Sequence, residues 1–202
     1  MDIYNLYKTL STKHGKPSGQ WSLWCKRPKT NHEKETVLIE SILTQRANWK
    51  NVSMAVANLK KAGLLGLKHI ISAEDEGFQQ FIRPSGFYKT KAARLKTLAG
   101  FIVNECGGID KAVEIPCGIM REKLLSLNGI GDETADDILL YAFEKPVFVI
   151  DEYTRRLVKQ LGLTDNLSYM HLQEFFETGL GQKDYALYQD FHALIVINAK
   201  SG

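Results

Sequence analysis

The chain has 202 residues, 44% of them hydrophobic and 24% charged, with a formal net charge of +3. That is enough apolar material for one domain or two small lobes, and too little net charge to argue by itself for an anionic partner. Cys25, Cys106 and Cys117 fit no metal or disulfide spacing, the N-terminus carries no basic leader before an apolar stretch, and no apolar run approaches ~20 residues. These features argue against a disulfide scaffold, a secretory signal and a membrane span, and for reduced thiols in a cytoplasmic protein.

In chain order, apolar spacing predicts helices over 2–13, 33–46, 49–61, 74–82, 89–104, 119–127, 133–143, 152–160, 168–179 and 184–199. Within 33–46, Val37, Leu38, Ser41, Ile42 and Gln45 share a face; within 89–104, Ala92, Leu95, Leu98, Ala99 and Ile102 do. Glycines and prolines punctuate the pattern, at Gly63, Gly66, Pro84-Ser85-Gly86, Gly107-Gly108, Pro116, Gly129, Gly131, Pro146 and Gly162. Residues 14–32 read as a linker. Val147-Phe148-Val149-Ile150 is strand-like but short and isolated, so an extended connector into a helix is expected. The fold class is all-α.

Two local features carry chemistry. Arg83, Lys89, Lys91, Arg94 and Lys96 cluster with no acid among them, as either a solvated helix face or a footprint for a nucleic-acid backbone. Leu127-Asn128-Gly129-Ile130-Gly131-Asp132-Glu133-Thr134-Ala135 reads as helix, glycine hairpin and helix. Glycine tolerates positive φ and close backbone approach, so such a hairpin aims N–H groups where a phosphate can sit.

The hairpin with Thr134-Ala135, followed by Pro146-Val147-Phe148-Val149-Ile150-Asp151, resembles the helix-hairpin-helix and Asp signature of the endonuclease III superfamily of DNA glycosylases. Ile42-Leu43-Thr44-Gln45 resembles the segment that places a glutamine near the flipped nucleotide. Arg83-Pro84-Ser85-Gly86-Phe87-Tyr88 with Lys91-Ala92 and Arg94-Leu95 resembles the bacterial 3-methyladenine glycosylase branch. Phe191-His192-Ala193-Leu194-Ile195-Val196 resembles the last core helix. The resemblance covers about residues 33–199.

It implies two helical lobes with a cleft between them: a barrel over 33–135 ending in the hairpin, and a second lobe of 1–32 plus 136–202. It implies a base-excision enzyme, most simply for an alkylated purine such as 3-methyladenine. The alternatives are a glycosylase for a mismatched, deaminated or oxidised base, and a catalytically silent DNA-binding module. The implied partner is double-stranded DNA with a damaged base, met by a monomer in the cytoplasm, at the nucleoid if the source is bacterial.

Two departures matter. Strand-cleaving members carry a lysine where this chain has Glu133, and a carboxylate cannot form the Schiff base that cleavage requires. The resemblance therefore implies a monofunctional enzyme using water. Many relatives end in a four-cysteine loop for an iron–sulfur cluster; no cysteine follows Cys117, so no cluster can form in the chain as written, through true absence or truncation. No cofactor or catalytic metal is expected. The hairpin carbonyls of the family often hold a structural monovalent cation.

On this reading Asp151 stabilises the positive charge that builds on the sugar as the base leaves, and can also cap its helix. A flipped base needs a stacking pocket, for which Trp24 and Trp49 are the candidates, with Trp21 left to the core. Glu133 is either a pocket-mouth group or an ordinary first-turn acid. Gln45 is the candidate plug for the vacated stack, and Arg46 reaches the opposite strand or solvent. Gly129, Ile130, Gly131 and Thr134 form the hairpin contact with DNA, joined by Lys89 and Lys91. Phe87 and Tyr88 are read as anchoring a turn into the core, His192 as a satisfied core residue, and Asp136 and Asp137 as solvent-facing or capping groups.

Overall fold

The computed structural model describes residues 2–201, which form thirteen α-helices and no strand. They are α1 (Ile3–His14), α2 (Trp21–Trp24), α3 (Asn31–Leu43), α4 (Trp49–Lys61), α5 (Leu67–Ser72), α6 (Asp75–Ile82), α7 (Tyr88–Gly100), α8 (Ile109–Glu114), α9 (Cys117–Leu125), α10 (Asp132–Asp137), α11 (Glu152–Leu161), α12 (Tyr169–Leu180) and α13 (Tyr185–Lys200). A 3-10 turn over Arg83–Ser85 precedes α7. π-helical turns over Phe101–Glu105 and Ile138–Ala142 extend α7 and α10.

Local chemistry fixes the starts. Thr30 and Glu33 form a reciprocal capping box on α3. Asn48 caps α4 and Asp184 caps α13 through their side-chain oxygens. The helices α2, α5 and α8 were not expected. Each is short, and α5 and α8 follow Gly66 and Gly108, so neither shows enough turns to display a period. Within the stretch read as a linker, Trp21 and Trp24 are both buried. Val147–Ile150 is extended and buried, as the connector reading requires.

The chain divides into two compact units, Met1–Pro28 with Leu139–Gly202, and Lys29–Ile138. In the Lys29–Ile138 unit α3 packs on α4, α7, α8 and α10, around a core that includes Leu38, Ile39, Ile42, Leu59, Phe78 and Leu98. In the other unit α13 packs on α1 and α11, and Phe148 stacks on Phe176 at 4.7 Å with Phe191 edge-on to it. No described helix is long and apolar enough to cross a membrane.

Candidate functional site

The hairpin belongs to the Lys29–Ile138 unit, between α9 and α10. Gly129 has φ of +84°, and a Cβ on it would collide with the Arg94 guanidinium, so both the turn and its neighbour require glycine. Gly131 differs. Its φ is −97°, and nothing lies within 4 Å of where its Cβ would be. No side chain caps α10 at Gly131. Ile130 is buried, so its side chain anchors the loop tip and only its backbone can face DNA.

Gln45 has a different task from the expected plug. Its Nε2 donates to Gly129 O at 3.0 Å and to Thr134 Oγ1 at 3.1 Å, while its Oε1 accepts from Arg94 Nη1 at 2.6 Å. The amide thus ties α3 and α7 to both sides of the hairpin. Below it, Arg121 donates from Nε and Nη2 to Asp136 and from Nη2 to Asp132 at 2.7 Å. Asp136 is fully buried, which removes the solvent-facing half of its expected solvent-facing or capping role. Hydrogen bonding to Asp136, against the cost of burial, raises the Arg121 pKa further. The hairpin is therefore braced from two directions by charged or polar groups that no spacing rule singles out.

The basic cluster splits between buried, partly buried and exposed positions. Lys91 is 1% exposed, and its Nζ donates to Leu43 O at 2.8 Å and Ser85 O at 2.7 Å. It closes the C-terminal end of α3 and cannot present its charge to a phosphate, which overturns its assignment as a DNA contact. Burial, aided by the nearby Arg94 charge, pushes its ammonium down to about 8. Lys96 pairs with Asp75 and donates to Ala73 O at 2.7 Å. Arg83 and Lys89 remain exposed. So do Arg46, in the left-handed region at φ 51°, and Glu133 in the first turn of α10. Trp49 is half-buried at the first position of α4.

Phe87 is the residue sequence reasoning misjudged most. It is 64% exposed and left-handed at φ 47°, immediately before α7. A bulky non-glycine residue in that region is strained, and an aromatic ring in water is not an anchor into a core.

Asp151 lies in the other unit, where the extended segment meets α11. Its Oδ1 accepts from the Thr154 backbone N–H at 2.7 Å and the Thr154 hydroxyl at 2.9 Å, which caps the helix. Its Oδ2 lies 3.5 Å from Nε2 of His192 on α13. The residue is 9% exposed. Burial alone would push it up, but the neighbouring imidazole and the two Thr154 bonds outweigh burial and hold it below the usual carboxylate range. It is ionised at neutral pH, in a place where water screens it little. Both roles foreseen for it are compatible, since one oxygen caps and the other does not. Trp24 does not form an open stacking face: it is buried, with its ring 4.9 Å from Tyr141 and 5.8 Å from Trp21. The pocket assignment for Trp24 is therefore corrected to core packing around Tyr141. Among the described residues no group of three or more His, Cys, Asp or Glu is placed to hold a metal.

Known proteins resemble this chain in sequence and fold. Residues 39–182 match the HhH-GPD superfamily of base excision DNA repair proteins. A Methanocaldococcus jannaschii protein named as a DNA repair glycosylase is 40% identical over 98% of this chain and 87% of its own length. Endonuclease III of Sulfolobus acidocaldarius is 30% identical over 85% of this chain and 74% of its own. Among solved structures, an H. pylori 3-methyladenine DNA glycosylase bound to 1,N6-ethenoadenine superposes with a TM-score of 0.84 at 31% identity, over 100% of this chain and 98% of that one. An endonuclease III–DNA complex shares the fold at a TM-score of 0.71 and 20% identity, over 96% and 83%. With its braced hairpin followed by a buried, ionised aspartate at a helix start, the chain belongs to the HhH-GPD superfamily of base excision DNA repair glycosylases.

Proposed function

We propose that this protein is a monofunctional DNA glycosylase that excises an alkylated purine such as 3-methyladenine from duplex DNA, with water as the nucleophile. The observation that carries the reading is Asp151: buried, ionised, and with Oδ2 left outside the helix cap. As the N-glycosidic bond stretches, positive charge gathers on the sugar, and a fixed carboxylate beside that carbon stabilises it and orients the attacking water. An N-alkylated purine is already cationic and leaves readily, so one carboxylate suffices without a strong general acid. The likeness to the H. pylori enzyme, over 100% of this chain and 98% of that one, supports this substrate class.

DNA is held by the hairpin backbone above Gly131, where the space is open, and by Arg46, Arg83 and Lys89. Phe87 takes the plug role first assigned to Gln45: an exposed aromatic on a strained turn fits the stack that a flipped base leaves empty. Trp49 offers an indole face on which a cationic base gains about 0.5–2 kcal/mol over a neutral one. Glu133, standing where strand-cleaving relatives carry lysine, supplies no amine.

Purified protein is expected to release free 3-methyladenine from methylated duplex DNA, resolved by chromatography. Borohydride added during turnover is expected to trap no protein–DNA adduct. Release of uracil or oxidised guanine without 3-methyladenine discards the alkylpurine assignment and keeps the glycosylase one. A trapped adduct on any lysine overturns the monofunctional assignment.

A further inference from the structure

The polar group facing Asp151 Oδ2 is the imidazole of His192, and this ring is built in from every side. It is 3% exposed, edge-on to Trp21 at 5.8 Å and to Phe148 at 6.5 Å between ring centres. Its Nδ1 lies 2.7 Å from the Tyr141 hydroxyl, which also lies 3.2 Å from Gln189 O. Tyr141 sits on the π-helical turn Ile138–Ala142, and such insertions are frequent at functional sites. Gln189 is fixed in turn by donating from Nε2 to Leu140 O at 2.7 Å.

Proton counting decides which way the ring is poised. A neutral imidazole protonated on Nδ1 would turn the Nε2 lone pair onto a carboxylate 3.5 Å away, which is repulsive. Two arrangements avoid this. Either Tyr141 donates to Nδ1 and the proton sits on Nε2, or the ring is an imidazolium that donates from both nitrogens. Both put an N–H on Nε2 facing Oδ2. At 3.5 Å this N–H is short of a hydrogen bond, and Nε2 is a buried nitrogen with no hydrogen-bond partner. A buried donor without an acceptor is costly, and a catalytic role is one reason for a fold to keep one.

We propose that His192, set in orientation by Tyr141, is a positioning residue for Asp151: its Nε2–H holds the free carboxylate oxygen in line and closes on it as the sugar becomes cationic. The proposal rests on the reading of Asp151 as the catalytic carboxylate. Long contacts of this kind in a free enzyme commonly tighten in the substrate complex. The lowered pKa of Asp151 has the same source, since the imidazole, with the Thr154 bonds, opposes the upward push of burial. Further charged groups near the carboxylate are Lys200 of α13, whose own pKa burial lowers while Asp151 raises it back in part, and Arg155 of α11, whose Nη1 donates to Ile150 O at 3.4 Å. The sign for activity follows. A depressed Asp151 stays ionised as pH falls, so excision persists to lower pH than an ordinary carboxylate would allow. Removing the imidazole must move the acid limb upward.

The test is a set of variants read in two ways. His192→Phe fills the aromatic cage without a donor, His192→Gln restores an N–H, and Tyr141→Phe frees the ring to change tautomer. First, the Asp151 carboxyl of the free protein is titrated by 13C NMR, assigned by its loss in Asp151→Asn. His192→Phe is expected to raise the midpoint by about one unit or more, Tyr141→Phe by less, and His192→Gln to recover most of it. Second, single-turnover excision from methylated duplex DNA is followed against pH. His192→Phe is expected to slow it roughly 10- to 100-fold, with the acid limb shifted and abasic-duplex affinity unchanged. If Asp151→Asn is inactive and folded His192→Phe shows an unmoved midpoint and limb, the positioning role is overturned while the catalytic reading stands. Full excision by Asp151→Asn overturns both.

Discussion

At position 151 the two oxygens of one carboxylate have separate surroundings: Oδ1 is fixed by Thr154, and Oδ2 faces an imidazole. Capping holds the group rigid, and rigidity is what electrostatic stabilisation requires, because a fixed charge needs no reorganisation when the transition state forms. Lys91 is the opposite case, a charge whose sequence context suggests DNA and whose position is structural. Lys91→Met leaves two buried carbonyls without their donor and relieves a buried charge. A net loss of about 1–3 kcal/mol in urea unfolding is expected, with the salt dependence of DNA binding unchanged. The ammonium value of about 8 lies below that of the unfolded chain, near ~10.4, so the wild-type fold gains stability as pH climbs between them. The difference between wild type and Lys91→Met should therefore widen from pH 7.5 to 9.5. Lys89→Ala, at an exposed position, should instead leave stability alone and reduce the slope of log K against log salt by roughly 0.9.

Among the elements, the hairpin shows most clearly how the parts divide their roles. Gly129 is demanded by the fold, through its φ of +84° and the Arg94 side chain beside it. Gly131 is not, since its φ is ordinary and its surroundings are open. Gly129→Ala should lower the melting temperature and loosen the Gln45 brace, by about 2 kcal/mol or more. Gly131→Val should melt like wild type yet bind all DNA sequences more weakly and about equally, because phosphate contacts carry no base information. A Gly131→Val protein that binds as tightly as wild type would make the hairpin architecture alone. Arg121 and Asp136 give the same element its second brace; a buried pair of this kind loses about 3–5 kcal/mol when one partner is removed.

Over the whole molecule, legibility followed the range of the signal. The ten expected helices show in the sequence because caps and apolar periods are local: Thr30 with Glu33, Asn48 and Asp184 mark their helices within four residues. The short α5 and α8 fall below that range. Asp151 and the hairpin are legible as motifs. The partners His192, Tyr141, Arg94 and Arg121 are not, because each meets its target only through folding, across chain distances that no spacing rule spans. Side chains misled for the same reason, since sequence gives composition and not direction: Lys91 reads as facing solvent or DNA and is buried, Asp136 reads as solvent-facing or capping and is buried, while Phe87 reads as buried and is exposed. The central claim is that an ionised Asp151 drives base release. Asp151→Asn keeps size and capping ability and removes the charge, and single-turnover release of 3-methyladenine from methylated duplex DNA measures the consequence. A rate lower by a factor on the order of 100 or more, with unchanged affinity for an abasic duplex, is expected. A folded Asp151→Asn protein that releases base at near the wild-type rate would contradict it.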